Sequence, residues 1–401
     1  MAFIVMSLAV ISVVPRAVAQ DPAADSDTHP RDTVMASLLV ASPGKEIYQV
    51  AGHGAIRMQA PRFGLDNVFS FETDNAGGLP GQLFGQAKGR YAAVVTSEYL
   101  DLFRQEGRSV TEYPLNLTDP QIRTLWRLLD EAVESGSEIA FNIRRDNCYY
   151  RAFVKVEDAL GRDKIVMHES HYSLMDNGTL LKSVLEKDTP WAAVVFVVGT
   201  GGDTGESDSW RTLMFSSTID SYFRDAEIES PDGSTRPLLA EPPSVLLPAT
   251  GQLPSPSPVT PAVACLGLLV LALALSVAEV AGRWCKIVKV ADVILLSLES
   301  LGAVALILMA VIPASIGSAW NWMMIPLNLL PPTVWLACRR RAPRFCRAFF
   351  IAYGVVSLLF TAAPLLTSEA GLWSSLLSAA IAIRVLTHYL PRRQAIREGR
   401  R

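Results

Sequence analysis

The chain has 401 residues, half of them apolar, with a formal net charge of −3. From residue 259 onward fourteen Lys/Arg face five Asp/Glu, a net of +9, which leaves −12 for the front part. An acidic front half excludes nucleic-acid binding as its default role, and the length suffices for two domains.

The first residues, "MAFIVMSLAVISVVPRAVAQ", combine an apolar run with the small-residue pattern Ala17-Val18-Ala19. That is the pattern of a signal peptide over 1–19, although no Lys or Arg precedes the run. Cleaved or retained as an anchor, such a leader exports the polar stretch that follows, expected as one domain over 20–228. In an oxidising compartment most cysteines pair, so an isolated one calls for a chemical reason. Cys265, Cys285, Cys338 and Cys346 lie in or beside apolar runs, where they serve as small hydrophobes. Cys148, in "RRDNCYYR", stands alone in the polar half.

In the exported part, "DTVMASLLVASPG" has helix-compatible residues at 33–41 and then a Pro-Gly turn. A strand follows in which His53, Ala55 and Arg57 share one face at period two. "APRFGL" turns the chain into a second strand, "DNVFSFE", and a hairpin is expected to return Asp66 toward His53. "YAAVVTSEYLDLFRQE" runs from strand to helix, and "RSVTEYPLNL" is a further strand. "TDPQIRTLWRLLDEAVES" has Thr118 at a cap, Pro120 in the first turn and Gln121 at the capping-box position. "EIAFNIRRDN" reads as a strand and "CYYRAFVKVEDALGR" as a helix, which puts Cys148 at a strand-to-helix junction.

A helix amino terminus offers unpaired N–H groups and partial positive charge, both favouring a thiolate and a developing oxyanion. A neighbouring imidazole completes such a nucleophile. Of the four histidines ahead of the apolar runs, His29 lies in a polar lead-in, and His168 and His171 ("HESH") lack the i,i+4 spacing of a helical zinc site. His53, between two glycines on a strand, is the expected base. No metal or cofactor is called for.

Residues 229–261, dense in Pro and Ser, read as an extended linker. Beyond it, over 262–401, five apolar segments are long enough to span a bilayer: about 262–282, 290–312, 320–338, 348–366 and 371–390. Lys and Arg gather after the first, between the third and fourth, and after the fifth, whereas "PASIGSA" and "TSEAG" carry none. The positive-inside rule then places the front domain outside and the tail in the cytoplasm. Among the carboxylates in these segments, only Glu299 lies deep in an apolar run.

The constellation "GHGAIR", Asp66 and "NCYYR", preceded by "SLLVASPGKEIYQVAGH" and joined by "YPLNLTDPQIRTLW", resembles the Lnb N-terminal periplasmic domain family over roughly residues 33–170. Its members are bacterial lipoprotein N-acyltransferases and relatives similar to circularly permuted papain-like thiol enzymes. They also have a membrane region with a segment similar to "WNWMMIPLNLLPP". The resemblance implies an α+β, permuted papain-like periplasmic domain followed by an all-α bundle of five transmembrane helices in the bacterial inner membrane. It implies Cys148 as nucleophile, His53 as base and Asp66 as third member, with Arg57, Asn147, Tyr149 and Arg151 as substrate-binding candidates. The expected reaction moves an acyl chain from a phospholipid, through a Cys148 thioester, to the amino terminus of a lipoprotein. A membrane-tethered papain-like amidase or peptidase of the cell envelope is the alternative.

Overall fold

The computed structural model describes residues 34–46, 49–73, 78–142, 146–168, 177–200, 215–251, 257–312, 321–365 and 371–389. The expected signal peptide, His29 and His171 lie outside these residues.

The front domain is organised by an antiparallel seven-stranded sheet in the order β10-β5-β1-β2-β3-β4-β6. Its strands are β1 (Met35–Ala41), β2 (His53–Ala60), β3 (Leu65–Thr73), β4 (Lys88–Val95), β5 (Val110–Pro114), β6 (Ile139–Ala140) and β10 (Ser244–Leu247). A small second sheet joins β7 (Lys164–Val166), β8 (Glu227–Glu229) and β9 (Thr235–Pro237). The helices of this part are α1 (Gly78–Leu83), α2 (Thr96–Glu106), α3 (Asp119–Ser135), α4 (Cys148–Leu160), α5 (Asn177–Leu185), α6 (Pro190–Thr200) and α7 (Ser216–Phe223).

Period-two alternation sorts the strand residues onto two apolar faces. Leu38, Ile56, Met58, Phe69 and Tyr113 pack with Ile122, Leu125 and Leu129 of α3, Phe153 and Val156 of α4, and Ile219 and Phe223 of α7. On the reverse face Leu39, Ala41, Ala55 and Val68 pack against Tyr99 and Phe103 of α2. The sheet thus has helices on both sides, and burial of these apolar faces supplies the main drive to fold.

This explains one departure from the sequence reading. Residues 35–41 form a strand rather than a helix, because β1 lies between β2 and β5 with its residues after Met35 all buried. A strand covered on both faces loses the alternation that marks a half-exposed one. The α3 start matches expectation, with Gln121 Oε1 accepting from the Thr118 N–H at 3.0 Å.

The expected linker is also shorter than its composition indicates. Strands β8, β9 and β10 occupy 227–247, and β10 closes the edge of the large sheet by pairing with β5. Pro at the edge or end of a strand donates nothing that the ladder needs, so proline density did not exclude pairing here.

After residue 260 come α8 (Pro261–Val280), α9 (Cys285–Val311), α10 (Leu330–Cys338), α11 (Pro343–Phe360) and α12 (Leu372–Tyr389). Three stretches, Pro261–Val280, Lys286–Val311 and Pro343–Phe360, are long and apolar enough to cross a membrane. The expected third span is not one helix across its described part: a short turn at Trp322–Met324 precedes α10, which has nine residues. Pro326, Pro331 and Pro332 lie in that stretch, and proline inside a helix removes a donor and clashes with the preceding turn. Helix α12 carries Arg384, whose buried guanidinium meets Asp292 of α9 at 2.7 Å and Glu279 of α8 at 3.1 Å. Two carboxylates from different helices therefore converge on one arginine.

The two parts of the chain are in contact. Val50, beside β2, and Phe215, at the start of α7, share an apolar cluster with Leu306 and Met309 of α9, Met323, and Phe360 of α11. Phe196 and Val197 of α6 lie in the same cluster.

Helix α4 approaches β2 closely at Gly54, where a Cβ would stand 2.4 Å from Cδ1 of the Tyr149 ring. Gly54→Ala is expected to lower stability by about 1–3 kcal/mol through overpacking, read as a fall in denaturation midpoint with little change in the slope of the transition.

Candidate functional site

Cys148 is the first residue of α4, and Asn147 caps that helix by accepting the Tyr150 N–H at 3.0 Å. Tyr149 next to it is buried, its ring against Gly54 and its hydroxyl donating to the Ala51 carbonyl at 3.1 Å. These contacts fix the helix start on the first residues of β2. Gly52, at φ +79°, completes the fit, since a Cβ there would lie 2.4 Å from the Ala41 carbonyl oxygen and 2.7 Å from Ser216. Both glycines flanking His53 are thus required by close approach.

The thiol and the imidazole meet at this point. His53 and Cys148 are hydrogen-bonded, and the Gly54 backbone also bonds to the thiol. The His53 ring lies over the α2 aromatics, 6.2 Å from the Phe103 ring and 6.4 Å from that of Tyr99. Its Nε2 stands 3.3 Å from Glu72 Oε1.

The expected third member was Asp66; the structure puts Glu72 there instead. The β2–β3 turn is tight, pairing Ala60 with Leu65 and Gln59 with Asp66. Continuing that register from Ala55 and Ser70 brings Glu72 opposite His53. Asp66 is occupied elsewhere, bonded through both carboxylate oxygens to Arg57 at 2.7 and 2.6 Å. Arg57 also reaches Glu112 at 3.0 Å, and its side chain is largely buried between the two carboxylates.

The electrostatics favour an ion pair. Burial works against a charged imidazole, but Cys148 and Glu72 outweigh it and hold the His53 pKa well above its ordinary value. Burial would likewise raise the thiol; the His53 charge and hydrogen bond, helped by the Gly54 backbone, bring Cys148 below its ordinary value of 9.0. Desolvation opposes ionisation of Glu72 as well, yet the imidazole and Ser70 lower its pKa to about 2. The geometry therefore stabilises a thiolate and an imidazolium together, the reactive form of a cysteine nucleophile.

A cleft of about 240 Å³ opens on the pair. It is lined by Asn147 and Tyr149 of the expected substrate-binding residues, but not by Arg57 or Arg151. Arg151 grips Asp146 through two nitrogens, and its guanidinium lies over the Phe71 ring at 5.6 Å. Both arginines are held in ion pairs away from the cleft rather than lining it as substrate-binding residues. Among the cleft residues that the sequence reading missed are Glu72, the buried Gln82 of α1, Phe103 and Arg108. Glu72 was legible from the hairpin, since a turn centred on Pro61–Gly64 fixes the register. The Tyr99 and Phe103 pair shows the i,i+4 spacing of one helix face, whereas nothing local marks Gln82 or Arg108. His168 lies apart, 3.3 Å from Glu227 on the small sheet.

Fold and site define a chain with helices long and apolar enough to cross a membrane and a mixed α/β domain in which a partly buried cysteine–histidine pair at a helix start meets a half-exposed carboxylate. Residues 20–174 match the model of the Lnb N-terminal periplasmic domain. No curated protein and no solved structure matches the chain.

Alkylation of Cys148 by iodoacetamide is expected to proceed at pH values below the ordinary thiol range. The sign follows from the cause: His53 favours the thiolate, so His53→Asn moves the reactivity profile to higher pH. Glu72 supports the imidazolium but repels the thiolate, so Glu72→Gln instead lowers the pH at which His53 gives up its proton, and Asp66→Asn leaves the profile in place. An Asp66→Asn shift equal to that of Glu72→Gln would contradict the assignment of the third residue.

Proposed function

We propose that the protein is a membrane-anchored thiol acyltransferase of the bacterial inner membrane, with a permuted papain-like domain in the periplasm. The observation that carries this reading is the hydrogen-bonded Cys148–His53 pair, backed by Glu72, at the mouth of a cleft. In the first half-reaction the Cys148 thiolate attacks the ester carbonyl of a phospholipid. The tetrahedral oxyanion meets the N–H groups at the start of α4. The C–O bond breaks, His53 gives its proton to the departing lysophospholipid alkoxide, and a thioester remains. In the second, the α-amino group of a lipoprotein attacks the thioester, His53 takes a proton from the amine, and the thiolate leaves as an amide forms.

Lipid substrates fit the surroundings of the thiol. Val50, three residues before His53, packs in the same cluster as Leu306, Met309 and Phe360 of the apolar helices, so the cleft lies beside the part of the chain suited to the bilayer. An enzyme held next to two lipid-anchored reactants gains from local concentration and orientation. Five crossings, with α10 and α12 accompanying the three long apolar helices, belong to this proposal, as does the cytoplasmic placement of the basic tail.

Expression in cells unable to N-acylate lipoproteins is expected to yield lipopeptides bearing a third acyl chain by mass spectrometry. Cys148→Ala is expected to abolish this product, and His53→Asn to reduce it by about 10²–10⁴-fold. Free fatty acid, or cleaved envelope peptide, with no added acyl chain would instead identify the membrane-tethered amidase or peptidase reading.

A further inference from the structure

A cavity of about 650 Å³, remote from the cysteine, lies among α8 to α12. Its size is within the approximate 300–1,000 Å³ of small-molecule sites. Along α9 its wall runs from Lys289 to Gly302. Thirteen residues at a helical rise of about 1.5 Å cover roughly 20 Å, close to half of a bilayer of about 40–45 Å with headgroups. Its depth therefore matches one phospholipid in one leaflet. Leu306 and Met309, farther along α9, belong to the cluster that meets the thiol domain, so the Lys289 end opens in the opposite leaflet.

Polarity is distributed to suit such a guest. Most of the wall is leucine, isoleucine, valine and alanine. The carboxylates in it already have partners: Glu299 accepts the Tyr353 hydroxyl at 2.7 Å, and Asp292 bonds Arg384. The mouth has the exposed cations Lys289 and Arg339, neither of which has a carboxylate partner among the described residues. Arg339 lies over the Trp335 ring, 3.9 Å from its centroid, an aromatic–cation arrangement suited to the headgroup level. Two unmatched cations above an apolar shaft complement a phosphate above an acyl chain.

We propose that this cavity binds one anionic glycerophospholipid from the leaflet remote from Cys148, its phosphate between Lys289 and Arg339 and its chain along Leu295 and Leu298 toward Gly302. The site is separate from the acyl-transfer cleft. A bound lipid there holds α9, α10 and α12 together where their facing side chains leave space.

The test is to reconstitute the full chain in nanodiscs of phosphatidylcholine with a minor fraction of phosphatidylglycerol, re-extract it in mild detergent and quantify the retained lipid by mass spectrometry. About one phosphatidylglycerol per protein, enriched over the bulk, is expected. Lys289→Gln and Arg339→Gln are each expected to cut the enrichment roughly fivefold, the worth of one cation near a membrane surface. Arg339→Lys retains it, and Gly302→Phe, which fills the deep end while leaving both cations, loses it. Elution volume and circular dichroism confirm that the variants are folded. Retained lipid of bulk composition, preferred retention of phosphatidylcholine, or unchanged enrichment in the folded glutamine and phenylalanine variants would overturn the proposal.

Discussion

The close approach of α4 to β2 at Gly54 is the contact on which the site depends. Without a side chain at that position, the Tyr149 ring lies directly on the strand. This brings the first residue of α4 against the first residue of β2, and those residues are Cys148 and His53. Hydrophobic packing thereby performs an electrostatic task. The strand and helix have apolar faces in one core, and the stability of that core holds a thiol and an imidazole in a partly buried contact where a charged pair is favoured over the separated neutral groups.

The carboxylate beside His53 shows how register selects function. Asp66 and Glu72 sit on the same strand at even spacing, so the pleat points both toward the face that carries His53 and Arg57. The hairpin turn then divides the labour. Asp66 falls beside Arg57 and forms a structural ion pair; Glu72 falls beside His53 and biases its protonation. A slip in register would remove both relationships at once. The network of Arg57, Asp66 and Glu112 links β2, β3 and β5 across the intervening β1, which ties the register to the sheet beneath the site.

The apolar cluster between the two parts gives the arrangement its setting. It joins the segment just before His53 to the ends of helices apolar enough for a bilayer. At the other end of those helices, Arg384 gathers Glu279 and Asp292, matching buried charge with charge, as a low-dielectric environment requires. The membrane part thus has an apolar contact toward the thiol domain and a charge-matched cluster away from it.

Much of this was legible in the residue order. Period-two alternation identified β2 and β3, capping chemistry located α3, and an isolated cysteine before "YYRAFVKV" marked a helix start. The length and apolarity of 261–280, 286–311 and 343–360 were likewise local properties. Tertiary structure decided what local pattern cannot encode. β1 is a strand because neighbours cover both its faces, and residues 244–247 belong to the sheet because β5 offers an open edge. Prolines interrupt the expected third span. Glu72, Gln82, Phe103 and Arg108 became site residues because separate elements converge on one cleft. The sequence by itself determined which residues had the chemistry for a thiol site. Only the folded chain decided which carboxylate stands beside the histidine, because strand register and helix packing are properties of several segments together.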